Sequence, residues 1–220
     1  MVRAVQLVAP PASARRRLLS LGLAPSSMAT VGIRMYEAGA SAPVHGATNA
    51  PGFLRYNTGL AALGDEFCHR GWERRTEQNV ELLVQPATKI GLCLTSASEG
   101  VAADLKFITA RFQRGPAMCR RILRSQFDLW LPPEEEVPVG KPDDDIVYWL
   151  LAHTYANQQL LIDLIRPGGV AEDRRTIIVS ERISVGTFGI RHGDDESGHN
   201  FPSPNPPRPA GPTIVIEPLE

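Results

Sequence analysis

The stretch IVYWLLAHTYANQQLLIDLIR, residues 146–166, decides the fold, because it reads either as one long helix or as two strands joined by a turn. Ile146, Val147, Tyr148, Trp149, Thr154 and Tyr155 are β-branched or aromatic residues that suit a pleated surface. Leu160, Ile162 and Leu164 alternate with Asp163, and Asn157 is a turn former lying between the two runs. The balance favours a hairpin turning at residues 156–159. The first 17 residues of this stretch carry no charge. A membrane-spanning helix needs about 20 predominantly apolar residues, and His153, Asn157, Gln158 and Gln159 sit near the middle of the window, so no membrane span is expected here.

Outward from the hairpin, residues 176–180 and 182–185 are further strand material after Gly168-Gly169. Upstream, Leu60, Leu63 and Phe67 fall at helical spacing, and Arg70-Gly71 gives a stop, which predicts a helix over residues 54–69. Residues 79–84 and 89–95 form two apolar runs separated by a loop of hairpin length. Gly115-Pro116 breaks the chain and starts a helix over residues 116–129, with Cys119, Leu123 and Phe127 on one side and Arg120, Arg121 and Arg124 on the others. The expected class is α+β: a mainly antiparallel sheet of about five to six strands covered by two helices. Residues 1–50, rich in Ala, Ser, Pro and Gly, read as a disordered or loosely packed segment, and residues 51–192 as a single domain. Residues 193–212 hold six prolines and read as a linker, with residues 213–220 a terminal strand.

The chain has 220 residues, 43% of them hydrophobic, enough for a core without disulfides or metals. Cys68, Cys93 and Cys119 form no CxxC pair and read as reduced thiols, which points to a cytoplasmic protein. The net charge of −1 opposes an overall pull toward nucleic acid or anionic membrane, but the charge is unevenly spread. Residues 1–36 carry five arginines and no acid, a transit-peptide-like bias. The preferred reading there is a disordered leader, with Met28 or Met35 as alternative starts. Residues 106–124 carry six basic side chains and no acid, and residues 128–145 carry seven acids against Lys141.

Motifs for nucleotide binding or nucleophilic catalysis are missing. Gly140-Lys141 lacks the upstream glycine of a phosphate loop, Gly186 and Gly189 lack a third glycine, and no serine lies in a GxSxG elbow. No cofactor is expected. His192 and His199 bracket Asp194, Asp195 and Glu196 and are candidate metal ligands, although their spacing fixes no geometry and a solvated loop is the preferred reading. Catalytic candidates are Glu81, Asp65 and His153. Asp65 and Glu81 are carboxylates on the first helix and the strand after it, and His153 sits in an apolar strand where a hydrogen-bonded core histidine is the commoner case.

The order helix, strand, strand is similar to the opening of the PD-(D/E)xK nucleases, whose chemistry needs a carboxylate on the first strand pair and an acid and a lysine two apart on the next strand. Glu81 stands where the first carboxylate belongs, but the following strand reads Gly91-Leu92-Cys93-Leu94-Thr95-Ser96, with neither acid nor lysine. A second resemblance covers roughly residues 70–190. It rests on residues 95–100, 113–117, 126–130, 149–153, 160–167 and 181–183. Over these the chain resembles a group of uncharacterised bacterial proteins with a basic K/R-G-P loop, a helix ending Q-[LF]-D-L-[FW], and W-x-L-L-x-H and E-R-I segments. That resemblance implies a fold and no activity. The function expected from the sequence is therefore a non-enzymatic binding or accessory protein, with a divergent or inactive metal-dependent hydrolase as the alternative. Arg114, Arg120, Arg121 and Arg124, around a helix start and beside Phe107 and Phe112, are candidates for weak phosphate or nucleic-acid contact. Pairing of this basic segment with the acidic residues 134–145 of the same chain is the competing reading. Neither a membrane partner nor a particular oligomeric state is indicated.

Overall fold

The structure, a computed structural model, describes residues 6–124 and 146–189. The elements run in the order β1 (Gln6–Val8), α1 (Ala12–Ser20), α2 (Pro25–Ala40), α3 (Ala50–Phe67), a 3-10 turn (Cys68–Arg70), β2 (Glu73–Glu77), β3 (Val80–Gln85), β4 (Ile90–Glu99), β5 (Phe107–Ala110), α4 (Pro116–Arg124), β6 (Val147–Ala156), β7 (Gln159–Val170) and β8 (Thr176–Gly189). The class is α+β, as expected. Among the described residues the sheet has eight strands, more than the expected five to six, and four helices cover it where two were expected.

Residues 146–166 do form a hairpin. Asn157 and Gln158 both take left-handed conformations, with φ of 50° and 62°, which is the tight two-residue turn whose twist suits antiparallel strands. The same geometry at Gln78 and Asn79 joins β2 to β3. The strand pairs are mostly antiparallel, with β6 running parallel to β4 after the α4 crossover. The order across the sheet is β1-β8-β7-β6-β4-β3-β2, and β5 pairs with both β4 and β8. The pairings β4-β6-β7-β8-β5-β4 therefore close into a ring.

Period-two alternation divides the sheet's side chains between two cores. Leu92 and Leu94 of β4, Trp149 and Leu151 of β6, and Ile162 and Leu164 of β7 pack beneath Met28, Val31, Met35, Leu63 and Phe67 of α2 and α3. Their odd or even neighbours, Cys93, Leu150, Ala152 and Ile165, join Ile108, Ile177 and the α4 residues Met118 and Ile122 on the other side.

The expectation of a loosely packed segment over residues 1–50 fails for residues 12–40, which are α1 and α2. Leu18, Met28, Val31, Met35 and Tyr36 of these helices are buried in the core. The small residues that suggested disorder allow close approach: a Cβ on Gly32 would lie 2.1 Å from the Phe188 ring. Met28 and Met35 are thus core residues of a helix. Arg17 extends from α1 to pair with Glu181 of β8, with its guanidinium 5.8 Å from the Trp149 ring centroid.

The turn from β4 to β5 is held by a buried ion pair. Asp163, 1% exposed, accepts from Arg182 at 2.7 Å and from the Ala102 amide at 2.7 Å. Arg182 also donates to the carbonyls of Gly100 and Leu105, at 2.6 and 2.8 Å. Gly100 has φ +86°, and a Cβ there would meet the Phe107 carbonyl oxygen at 2.5 Å, so the turn requires glycine. Among the described residues no helix is long and apolar enough to cross a membrane. The candidate metal ligands His192 and His199, residues 134–145, the linker over 193–212 and the terminal strand over 213–220 lie outside the described residues, as do the last residues of the helix expected over 116–129.

Candidate functional site

Strand β4 has a different neighbour at each end of its outer side. Its first half pairs with β3 as far as Leu83 opposite Leu92, and its far end pairs with β5 from Ala97 opposite Ala110. Between these, residues 93–96 have no strand partner on that side among the described residues. A cleft of about 650 Å³ opens there. Asn49, Phe53 and Tyr56 of the α3 region form one wall, the β2–β3 turn another, and the connector from Arg111 to the start of α4 a third. That connector is anchored by hydrogen bonds from the Arg111 amide to the Ser96 carbonyl, 2.9 Å, and from the Arg114 amide to the Arg174 carbonyl, 2.8 Å.

Among the described residues the lining contains arginines and no carboxylate. Arg114 is partly buried, and its Nε has no hydrogen-bond partner among the described residues. Burial pushes its pKa below the ordinary arginine value, with Cys93 and Tyr56 working weakly the other way. Thr95, 1% exposed, lines the same cleft with an unpartnered hydroxyl. At the start of α4 the amides of Met118 and Cys119 both bond back to the Gly115 carbonyl. The Gly115 and Ala117 amides have no partner among the described residues. Thr95, Arg114 and the start of α4 thus line one space, with the Thr95 hydroxyl and Arg114 Nε themselves buried, and each carries a donor of the kind that suits an oxyanion.

Behind Ser96 lies His153, 3% exposed, whose Nε2 is 3.1 Å from the Ser96 hydroxyl. Burial, then the charges of Arg55 and Arg111, push the imidazole down to about 4, while the nearby Thr95 carbonyl works weakly the other way. His153 Nδ1 does not reach hydrogen-bond geometry with any partner among the described residues. A general base must become cationic, and the two arginines oppose that, so this serine–histidine contact is poorly placed for nucleophilic catalysis. Arg55 itself packs over Tyr155, 4.1 Å from the ring centroid. Cys93, buried in the cleft floor, has its thiol pushed up to about 11 by burial, which leaves it inert as a nucleophile.

The other sequence candidates are dispersed. Glu81 lies outside this cleft, beside Leu60 and Leu63, and binds Arg74 and Thr76 at 3.2 and 2.9 Å. Asp65 pairs with Arg34 of α2 at 2.6 Å. The structure therefore does not bring Glu81, Asp65 and His153 together. Arg121 is committed to Glu77 of β2 at 2.7 Å, so of the four candidate phosphate-binding arginines only Arg114 reaches the cleft among the described side chains. The side chains of Arg120 and Arg124 lie outside the described residues. Thr95, Ser96, Phe53 and Tyr56 were not singled out by sequence; no local signal marks them, because the splay of β3 from β4 is what gathers them. Comparison with protein-family models, with curated proteins and with solved structures gives no match to this chain.

Proposed function

We propose that this chain is a non-enzymatic binding protein that holds a phosphate group of a nucleic acid or nucleotide in the β3–β4 cleft. The observation that carries this reading is the pair of buried donors without a partner among the described residues, Thr95 Oγ1 and Arg114 Nε, on residues that line a cleft where the described residues include no carboxylate. Buried donors without acceptors are costly, about 1–3 kcal/mol each, and a bound oxyanion would relieve that cost. Arg111 and the α4 N-terminus add positive potential at the same place. The helix and two strands behind the nuclease-like resemblance, residues 54–69, 79–84 and 89–95, correspond to α3, β3 and β4, with the further strand β2 standing between α3 and β3. For the alternative of a metal-dependent hydrolase, the described residues offer no group of three His, Cys, Asp or Glu side chains placed for a metal.

The test is fluorescence anisotropy of the purified protein with a labelled oligonucleotide over a salt series. Affinity should fall with salt and depend little on base sequence, because phosphate contacts release counterions without reading bases. Arg114→Gln should lower the logarithmic salt slope by about 0.7–0.9, one phosphate contact's worth, whereas Arg121→Gln should leave it unchanged because Arg121 serves Glu77. A wild-type protein that binds no oligonucleotide at low salt, or an Arg114→Gln variant with an unaltered slope, overturns the proposal.

A further inference from the structure

Among the described residues, two large aromatic side chains that line the cleft belong to no core. Phe53 is 63% exposed and Phe112 is 67% exposed, and neither belongs to either hydrophobic core. They come from different walls, Phe53 from α3 and Phe112 from the connector that precedes α4, and both line the same cleft as Thr95 and Arg114. Tyr56 lies on the α3 wall with Phe53. Strand β4 adds backbone groups. The Ser96 carbonyl points to this side, since it accepts from the Arg111 amide, so by alternation the amide and carbonyl of Leu94 point here too. No strand pairs with Leu94 on this side among the described residues.

We infer that the cleft takes unpaired nucleotides, with a phosphate between Thr95, Arg114 and the start of α4 and the neighbouring bases stacked on Phe53 and Phe112. This rests on the phosphate reading above and names its ligand class. A duplex keeps its base faces stacked inside the helix and can offer this cleft only its phosphates, which would leave both phenyl rings unused. An unpaired strand presents a phosphate and a flat apolar face within one nucleotide, and that pairing of chemistries is what the walls provide. The Leu94 amide supplies a donor for a base edge, beside a carbonyl that already accepts from the Cys93 thiol at 3.7 Å. Stacking tolerates any base, so sequence preference is weak.

The experiment compares three probes on the full chain: a short labelled oligothymidylate, the same strand annealed to its complement, and inorganic pyrophosphate by calorimetry. Pyrophosphate reads the anion site alone. The single strand should bind about ten-fold or more tighter than the duplex, and Phe53→Ala or Phe112→Ala should weaken it roughly five- to hundred-fold for each base that loses its stack. Both rings are exposed, so circular dichroism should show folded variants. Equal binding of strand and duplex, with both phenylalanine variants unaffected, overturns this inference but spares the phosphate reading. Loss of all binding, pyrophosphate included, overturns both. A phosphoserine peptide that displaces the single strand and binds tighter than it does overturns the nucleotide assignment in favour of a peptide ligand.

Discussion

Replacing Arg182 by Met should be among the most damaging single changes in this protein, and more damaging than neutralising its partner. Asp163 is 1% exposed, and its Oδ1 already has no partner among the described residues, so its charge rests on Oδ2, which is bound by Arg182 and the Ala102 amide. Without Arg182 a buried carboxylate keeps one backbone donor and no counter-charge, a situation that typically costs about 3–5 kcal/mol. The Gly100 and Leu105 carbonyls lose their donor in the same change. At about 2–4 °C per kcal/mol for a chain of this size, the melting temperature should fall by roughly 6–20 °C. Asp163→Asn should cost less, about 1–3 kcal/mol, because Arg182 is 19% exposed on its side chain and retains both carbonyl acceptors. The double variant Asp163→Leu, Arg182→Met should recover part of the loss, since an apolar pair of similar volume removes the stranded charge. Urea unfolding followed by the fluorescence of buried Trp72 and Trp149 gives all three values. A loss below about 1 kcal/mol for Arg182→Met, the level of a surface ion pair, would refute the reasoning.

His153 makes stability depend on pH: its folded value of about 4 lies below its ordinary 6.5, so the unfolded chain binds the extra proton. Stability should be full above about pH 6.5 and fall by roughly 3 kcal/mol as the pH drops to 4, levelling below that, and His153→Gln should flatten this limb in unfolding measured across that range. Gly32→Ala should destabilise by about 1–3 kcal/mol through collision with the Phe188 ring, and adding Phe188→Leu should restore part of the loss in thermal melts.

The elements that could be read in the sequence are those whose side chains show a single period. The residue 146–166 hairpin combines alternation with a turn former, and α3 has a clean helical stripe, so both stand where the sequence placed them. Strand β2, Glu-Arg-Arg-Thr-Glu over residues 73–77, has no apolar alternation, because it is an edge strand that makes its contacts through backbone bonds to β3 and surface ion pairs. Strand β5 is four residues long and hidden inside a basic run, and only its two neighbours define it. Helix α2 is hard to read from sequence because Gly32 and Gly39 lower helix propensity locally, while their value lies in fitting against Phe188 and Arg55, a tertiary effect. At the site, the basic residues before α4 and its proline start were legible as a group. Thr95 and Phe53 were not, since their meeting depends on where β3 leaves β4.

Closing the strands into a ring sets the order in which this chain can acquire its structure. During synthesis β5 emerges soon after β4 and can pair with it at once, but its other edge waits for residues 176–178 of β8. Until then Ile108 and Ala110 belong to an inner core with no far wall, and the Gly100 and Leu105 carbonyls wait for Arg182. Pairings between segments so far apart in sequence come late and slowly, because loop-closure entropy is lost before the contacts repay it. A nascent or truncated chain ending before β8 therefore carries an unpaired strand and exposed apolar surface at once, and should depend on chaperone protection until β8 arrives.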